Sequence, residues 1–153
     1  MPRPDRSPIV HATDFSREAV PAFRAAVSLA AAGRRRLSLV HVLMPPSPFV
    51  ASGTPWASWE ELEASARREA RRHLGRLVLT ARRHGVRAKG TVLDGPPAET
   101  IARAARAARA GLLVIGTHGR TGITRIAMGS VAGRVLRIAT CPVLTVRARR
   151  RKR

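Results

Sequence analysis

Aromatic residues are nearly missing from this chain: they make up 3% of its 153 residues, and tyrosine does not occur. Its core must therefore be aliphatic and alanine-rich, and base-stacking platforms, which need exposed rings, are disfavoured. Cysteine occurs once, at Cys141, which excludes an internal disulfide and suits a reducing compartment. Acidic residues are scarce, nine against 29 basic ones. Lysine is confined to Lys89 and Lys152, so the formal net charge of +20 rests almost wholly on arginine. No apolar run approaches the length of a membrane span, and the basic start MPRPDRSPIV is followed by no apolar signal segment. A soluble, cytoplasmic protein is expected.

What is present fits one globular domain, residues 1–146, with 44% hydrophobic residues in the whole chain. The remaining stretch RARRRKR, 147–153, carries six charges in seven residues and is expected to be a solvated tail. A charge of this size attracts polyanions at low salt, which makes nucleic acid a partner to consider. A genome rich in G and C would give the same excess of Arg and Ala without any such role.

Apolar periodicity divides the chain into alternating elements. PIVHAT (8–13) reads as a strand, followed by a helix with Ser16 as its N-cap, Val20, Phe23, Val27 and Ala31 inward, and Gly33 as its stop. RLSLVHVLM (36–44) is a second strand, ending in the irregular segment PPSPFVASGTPWA (45–57). Ser58 and Glu61 match a capping box, opening a helix with Leu62, Ala66, Ala70, Leu74, Leu77, Val78 and Ala81 inward and His84-Gly85 as its end. VRAKGTVL (86–93) alternates imperfectly, as an edge strand does. Pro97 starts a helix to about Arg109, with Arg103, Arg106 and Arg109 on its solvated side. The unbroken run Leu112–Ile115 demands burial on both faces, hence a central parallel strand. A helix from Ser130 to about Thr140, presenting Val131, Val135, Leu136 and Ile138, and the strand CPVLTVR complete the chain. Five strands alternating with four helices predict a three-layer α/β sandwich with a parallel sheet, helices on both faces and right-handed crossovers.

Ligands of such sheets bind beyond the strand carboxyl ends, where the strand order reverses. Two turns compete for that place, ATDFS (12–16) and the glycine-rich GTHGRTGITRIAMGS (116–130). In the order 3-2-1-4-5 they face each other. Gly116 and Gly119 let backbone amides approach a ligand, and Gly129-Ser130 opens a helix whose amides and dipole favour an anion. Asp14 supplies acceptors suited to the two hydroxyls of a ribose. A phosphate cradle opposite a hydroxyl acceptor describes a nucleotide. The dinucleotide fingerprint G-x-G-x-x-G and the P-loop are both absent, as are the acidic cluster and lysine of a receiver domain.

The pattern G-x2-G-x9-G-[ST], met by Gly116, Gly119, Gly129 and Ser130, resembles the nucleotide-binding signature of the universal stress protein family. The likeness extends through ATDFS, LVHV, GPPAETI, LVIGTHGRTG and GSVAGRVLRIATCPVLTV, nearly the whole chain. It implies a Rossmann-like fold of strand order 3-2-1-4-5, ATP with Mg2+ at the strand ends, and a homodimer paired through the last strand, Pro142 to Val146. By position, Ala12 and Thr13 would flank the adenosine, Asp14 would hold the ribose, and Val42 would offer backbone groups to the adenine edge. Gly116 and Gly119 would line the ribose and phosphates, with Gly129, Ser130 and Val131 on the phosphates. His118 and Arg120 flank this loop, and one of them is expected on a phosphate. Two positions depart from the family pattern: Gly111 stands where an Asp is usual, and His11 where an apolar residue is common. His11 and His41 make a pair without carboxylate or thiol partners, weak as a metal site. The leading reading is a nucleotide-binding regulatory protein with no catalytic residue assigned. The alternatives are a slow ATPase and a polyanion-binding protein using its arginine surface and tail.

Overall fold

The computed structural model describes residues 6–44, 56–117 and 128–148. Of the irregular segment expected at 45–57, positions 45–55 lie outside the described residues and positions 56–57 are helical instead; the loop residues His118, Gly119, Arg120 and Gly122 and the tail from Arg149 onward also lie outside the described residues. Strand β1 (Ile9–Ala12) is buried at every position, because it lies in the middle of the sheet with helices on both faces. Around it run β2 (Leu37–Leu43), β3 (Ala88–Asp94), β4 (Leu112–Gly116) and β5 (Val143–Val146), in the spatial order β3-β2-β1-β4-β5. All four pairings are parallel, with Ile9 opposite both Leu37 and Leu112.

Alternation along β1 sends its side chains to two separate cores. Ile9 packs with Phe23 and Val27 of α1 (Val20–Ala32) and with Leu74 and Ala81 of α2 (Trp56–Arg83). Val10 and Ala12 pack on the other face with Ile101 and Ala105 of α3 (Pro97–Ala107) and Val135 of α4 (Ser130–Ile138). This is the expected sandwich and strand order, with β3 at an edge. Among the described residues no helix is long and apolar enough to cross a membrane.

Local differences have local causes. Ser16 does cap, its hydroxyl accepting the Ala19 amide at 3.2 Å, but the turn it opens is 3-10 (Arg17–Ala19) before α1 begins at Val20. Pro21 lacks the amide that would continue an α-helical ladder backwards, and it sits in the first turn of α1 where that is harmless. Ser58 is not an N-cap, because α2 already runs from Trp56, the residue after Pro55. Leu62 is 59% exposed: α2 reaches the end of the sheet near Arg67, which pairs with Asp94 of β3, and Leu62 lies beyond it. On α1 the buried face is Ala22, Phe23, Ala26, Val27 and Ala30, leaving Val20 and Ala31 outside. On α4 only Ala132 and Val135 are buried, and Leu136 and Ile138 face outward. That helix lies towards the β5 edge, where the sheet covers only a narrow stripe.

Candidate functional site

The turn after β1 and the ends of β2 and β4, through Met44 and Thr117, meet the first turns of α3 and α4 around a cleft of about 1120 Å3 at the carboxyl end of the sheet. Ala12, Thr13, Asp14, Val42, Gly116, Gly129, Ser130 and Val131, all expected there, line it. His118, Gly119 and Arg120 are outside the described residues, but both ends of their loop are placed. The Gly129 amide donates to the Thr117 carbonyl at 2.7 Å, and the Thr117 amide donates to Val146 at 3.0 Å. The glycine-rich segment therefore leaves and returns at one point beside the cleft.

The turn after β1 is held by its own side chains. Thr13 Oγ1 accepts the Phe15 amide at 3.1 Å, and Asp14 Oδ1 accepts both the amide and the hydroxyl of Ser16, at 3.0 and 2.6 Å. This double side-chain turn, characteristic of Thr and Asp, orients the Asp14 carboxylate. It also keeps Phe15 at φ 64°, a left-handed backbone that costs a residue with a Cβ about 1–2 kcal/mol.

Two features prepare backbone groups for a ligand. Along β2 the carbonyls of Arg36 and Val40 accept amides from Ile9 and Thr13 on the β1 side, whereas the Leu43 carbonyl accepts Gly95 on the β3 side. By that alternation the N–H and C=O of Val42 point to the β1 side, two residues past Val40, which is paired with the last residue of β1. They open on the cleft. At α4 the cap residue Gly129 has no capping side chain, and the first helical bond comes only from the Gly133 amide to the Gly129 carbonyl. The amides of Ser130, Val131 and Ala132, the orphan donors of a helix start, aim at the same space with the positive end of the dipole.

The remaining wall was not read from the sequence. Phe15 stacks on His41 at 4.2 Å between ring centroids and on His73 of α2 at 4.9 Å, each at 27°. His73 lies 3.7 Å from Glu69 one turn earlier. A carbonyl can only accept, so the 2.8 Å contact of His41 Nδ1 with the Thr13 carbonyl puts the proton on Nδ1. The available signal was Glu69 and His73 spaced i,i+4 beside the alanine stripe of α2. His11, in contrast, is no cleft residue: it is wholly buried, its Nδ1 donates to Val114 at 3.1 Å, and its Nε2 has no partner among the described residues. Burial lowers its pKa to about 4, against the raising effects of the Val114 carbonyl and the Asp14 charge. Among the described residues no three potential metal ligands converge. Two ion pairs brace the rim, Arg67 with Asp94 at 2.6 Å and Arg134 with Glu99. Glu99 titrates lower than usual, chiefly through a backbone amide bond and then through Arg134.

Comparison with known proteins decides the family. The model of the "Universal stress protein family" matches residues 6–147. The chain belongs to the universal stress protein family. It is 36% identical to a universal stress protein of Methanocaldococcus jannaschii over 140 residues, 91% of this chain and 81% of that protein. Among solved structures, a family member from Burkholderia pseudomallei superposes with a TM-score of 0.74 at 35% identity, covering 94% of this chain and 97% of that one. A universal stress protein of Archaeoglobus fulgidus, solved in complex with dAMP, superposes at 0.65 with 28% identity, over 90% of this chain and 95% of that one.

Proposed function

We propose that this universal stress protein binds an adenine nucleotide, with ATP as the main ligand, in the cleft at the carboxyl end of its sheet. The observation that carries the reading is the convergence of three backbone-built features on one cavity: the uncapped start of α4, the tied base of the glycine-rich loop and the overhanging edge of Val42. Each suits one part of the ligand. The amides of Ser130 and Val131 and the Ser130 hydroxyl take phosphate oxygens, as helix starts do. Asp14, fixed by Ser16, accepts from ribose hydroxyls. The N–H and C=O of Val42 read the adenine edge, with Ala12 and Thr13 against the adenosine. Gly116 and Gly119 line the ribose and phosphates, and His118 or Arg120 adds charge there. Mg2+ accompanies the triphosphate as its counter-ion. That the Archaeoglobus fulgidus relative was solved in complex with dAMP supports an adenine nucleotide as the ligand.

Occupancy, rather than turnover, is the proposed output: bound nucleotide shifts a conformational or assembly equilibrium in the cytoplasm. A pair of chains joined through β5 is the natural assembly, because β5 is an edge strand whose four residues are all part-exposed. A ligand at a hundred times its Kd stabilises the fold by about 2.7 kcal/mol. In a chain of this size that raises Tm by roughly 5–10 °C. Thermal unfolding with and without millimolar Mg-ATP tests the reading, and an unchanged Tm in folded protein overturns it.

A further inference from the structure

All eight acidic residues within the described segments lie at the cleft end of the molecule or in the half of α2 nearer to it: Asp14 and Glu18 after β1, Glu60 to Glu69 in α2, Asp94 ending β3 and Glu99 opening α3. The opposite end, where the strands begin, holds none among the described residues. It carries instead exposed Arg34 and Arg36 ahead of β2, Arg82 at the end of α2, Arg87 and Lys89 at the start of β3, and Arg109 after α3. None of these six forms an ion pair among the described residues. The C-termini of all four helices also point there, but their dipoles offset only about 2 charges in total.

Strand register holds like charges close at this end, and two of its arginines occupy a backbone conformation that favours glycine. The pairing of Leu37 with Ala88 puts Arg36 and Arg87, each one residue ahead of its strand, at the same level on neighbouring chains of the sheet, which brings two positive charges close without a carboxylate between them. Arg34 and Arg109 both sit at φ 49°, where glycine would cost less. Arg36, Arg82, Arg87 and Lys89 line a groove of about 830 Å3 whose other walls include Pro8, Gly85 and Ala108. No exposed large apolar side chain lines it, which disfavours insertion into a lipid surface.

We propose that this basic end binds the phosphodiester backbone of duplex nucleic acid, independently of base sequence and on the side of the protein away from the nucleotide cleft. Arginine forks match phosphate oxygens two at a time. From β3 to β4 the row of strand starts spans three inter-strand spacings, about 14 Å, enough for roughly four phosphates at 3.4 Å each. Four contacts give a salt slope near −3.6, hence about a hundredfold weaker binding at 200 mM than at 50 mM salt.

The test is fluorescence anisotropy with a labelled 20-base-pair duplex, using the full chain and two variants of equal charge change. R36E/R87E/K89E alters the groove, and R68E/R71E/R72E alters exposed arginines on α2. The groove variant is expected to lose at least about fiftyfold in affinity at 100 mM salt and to flatten the slope by about 3, against less than about fivefold for the control. Equal losses overturn the proposal, because they assign binding to diffuse charge. Binding of wild-type protein to phosphatidylglycerol vesicles or poly-glutamate as tightly as to the duplex overturns it in favour of a lipid surface or an acidic protein. If the charge-reversed protein fails to unfold cooperatively, R36Q/R87Q/K89Q takes its place, with about tenfold loss expected and no loss contradicting the proposal.

Discussion

The two ends of the parallel sheet are built from the same kinds of parts and carry opposite chemistry. At the carboxyl end, helices begin, the turn after β1 is tied by Thr13, Asp14 and Ser16, and the carboxylates of Asp14 and Glu69 line the cleft. At the amino end, helices stop, and arginines occupy both the strand starts and two left-handed positions. The contrast follows from topology. Parallel strands with helical crossovers put every helix N-terminus, with its orphan amides, on one side and every C-terminus on the other. The sequence then adds acceptors and glycines to the first side and cations to the second.

Perturbations graded by size can break or sharpen this contrast. The largest should strike both ends together. His11 lies inside the sheet, and its pKa of about 4 when folded stands below the ordinary 6.5. The unfolded chain therefore binds a proton first as pH falls, so stability holds above pH 6.5 and drops between 6.5 and 4, by about 3 kcal/mol in all. Chemical denaturation as a function of pH should show this loss, and H11L should lack that segment of the curve. An unchanged pH profile in H11L would assign the acid sensitivity elsewhere.

Next in size is a change confined to the cleft. Gly129 has φ −56° and ψ 147°, which any residue adopts, so G129V should fold normally while its side chain crowds the phosphate cradle. Nucleotide affinity should fall by about a hundredfold, some 2.7 kcal/mol, with Tm of the ligand-free protein within a degree or two. A parallel drop in duplex binding would mean that the two ends are not separate sites. G95A is a third case, structural rather than ligand-specific. Gly95 has φ 129°, and an added Cβ would stand 2.8 Å from Thr100 Oγ1, so G95A should destabilise by about 2 kcal/mol in urea titrations.

The smallest effect belongs to the basic end and has the opposite sign. R109G removes a left-handed arginine and should leave stability unchanged or raise it by up to about 1 kcal/mol. A clear loss would show that Arg109 has a structural role.

Much of the fold was legible because its signal is local. The central strands IVHA and LLVIG are continuous apolar runs, and the helices between them carry periodic faces. Helix limits were less so, since they depend on where the sheet stops: Leu62 looks inward by period but lies past the sheet, and Leu136 and Ile138 lie off the narrow buried stripe of α4. In the cleft, Asp14, Gly129 and Ser130 could be found because a turn and a helix start are short-range features. The Phe15–His41–His73 stack could not, because it needs α2 to cross over the turn after β1, and nothing in the local spacing of those three residues announces it. His11 and His41 look like a pair on neighbouring strands, yet each is committed to a different carbonyl, Val114 and Thr13.

The central claim is that the carboxyl-end cleft holds an adenine nucleotide, and mass spectrometry of the small molecules released on denaturing freshly purified protein tests it most directly. The account predicts an adenine nucleotide, ATP foremost, in near one-to-one ratio with the chain and strongly depleted from G129V prepared alongside. Wild-type protein that releases none and takes none up from millimolar Mg-ATP, or a G129V that retains it in full, would contradict the account.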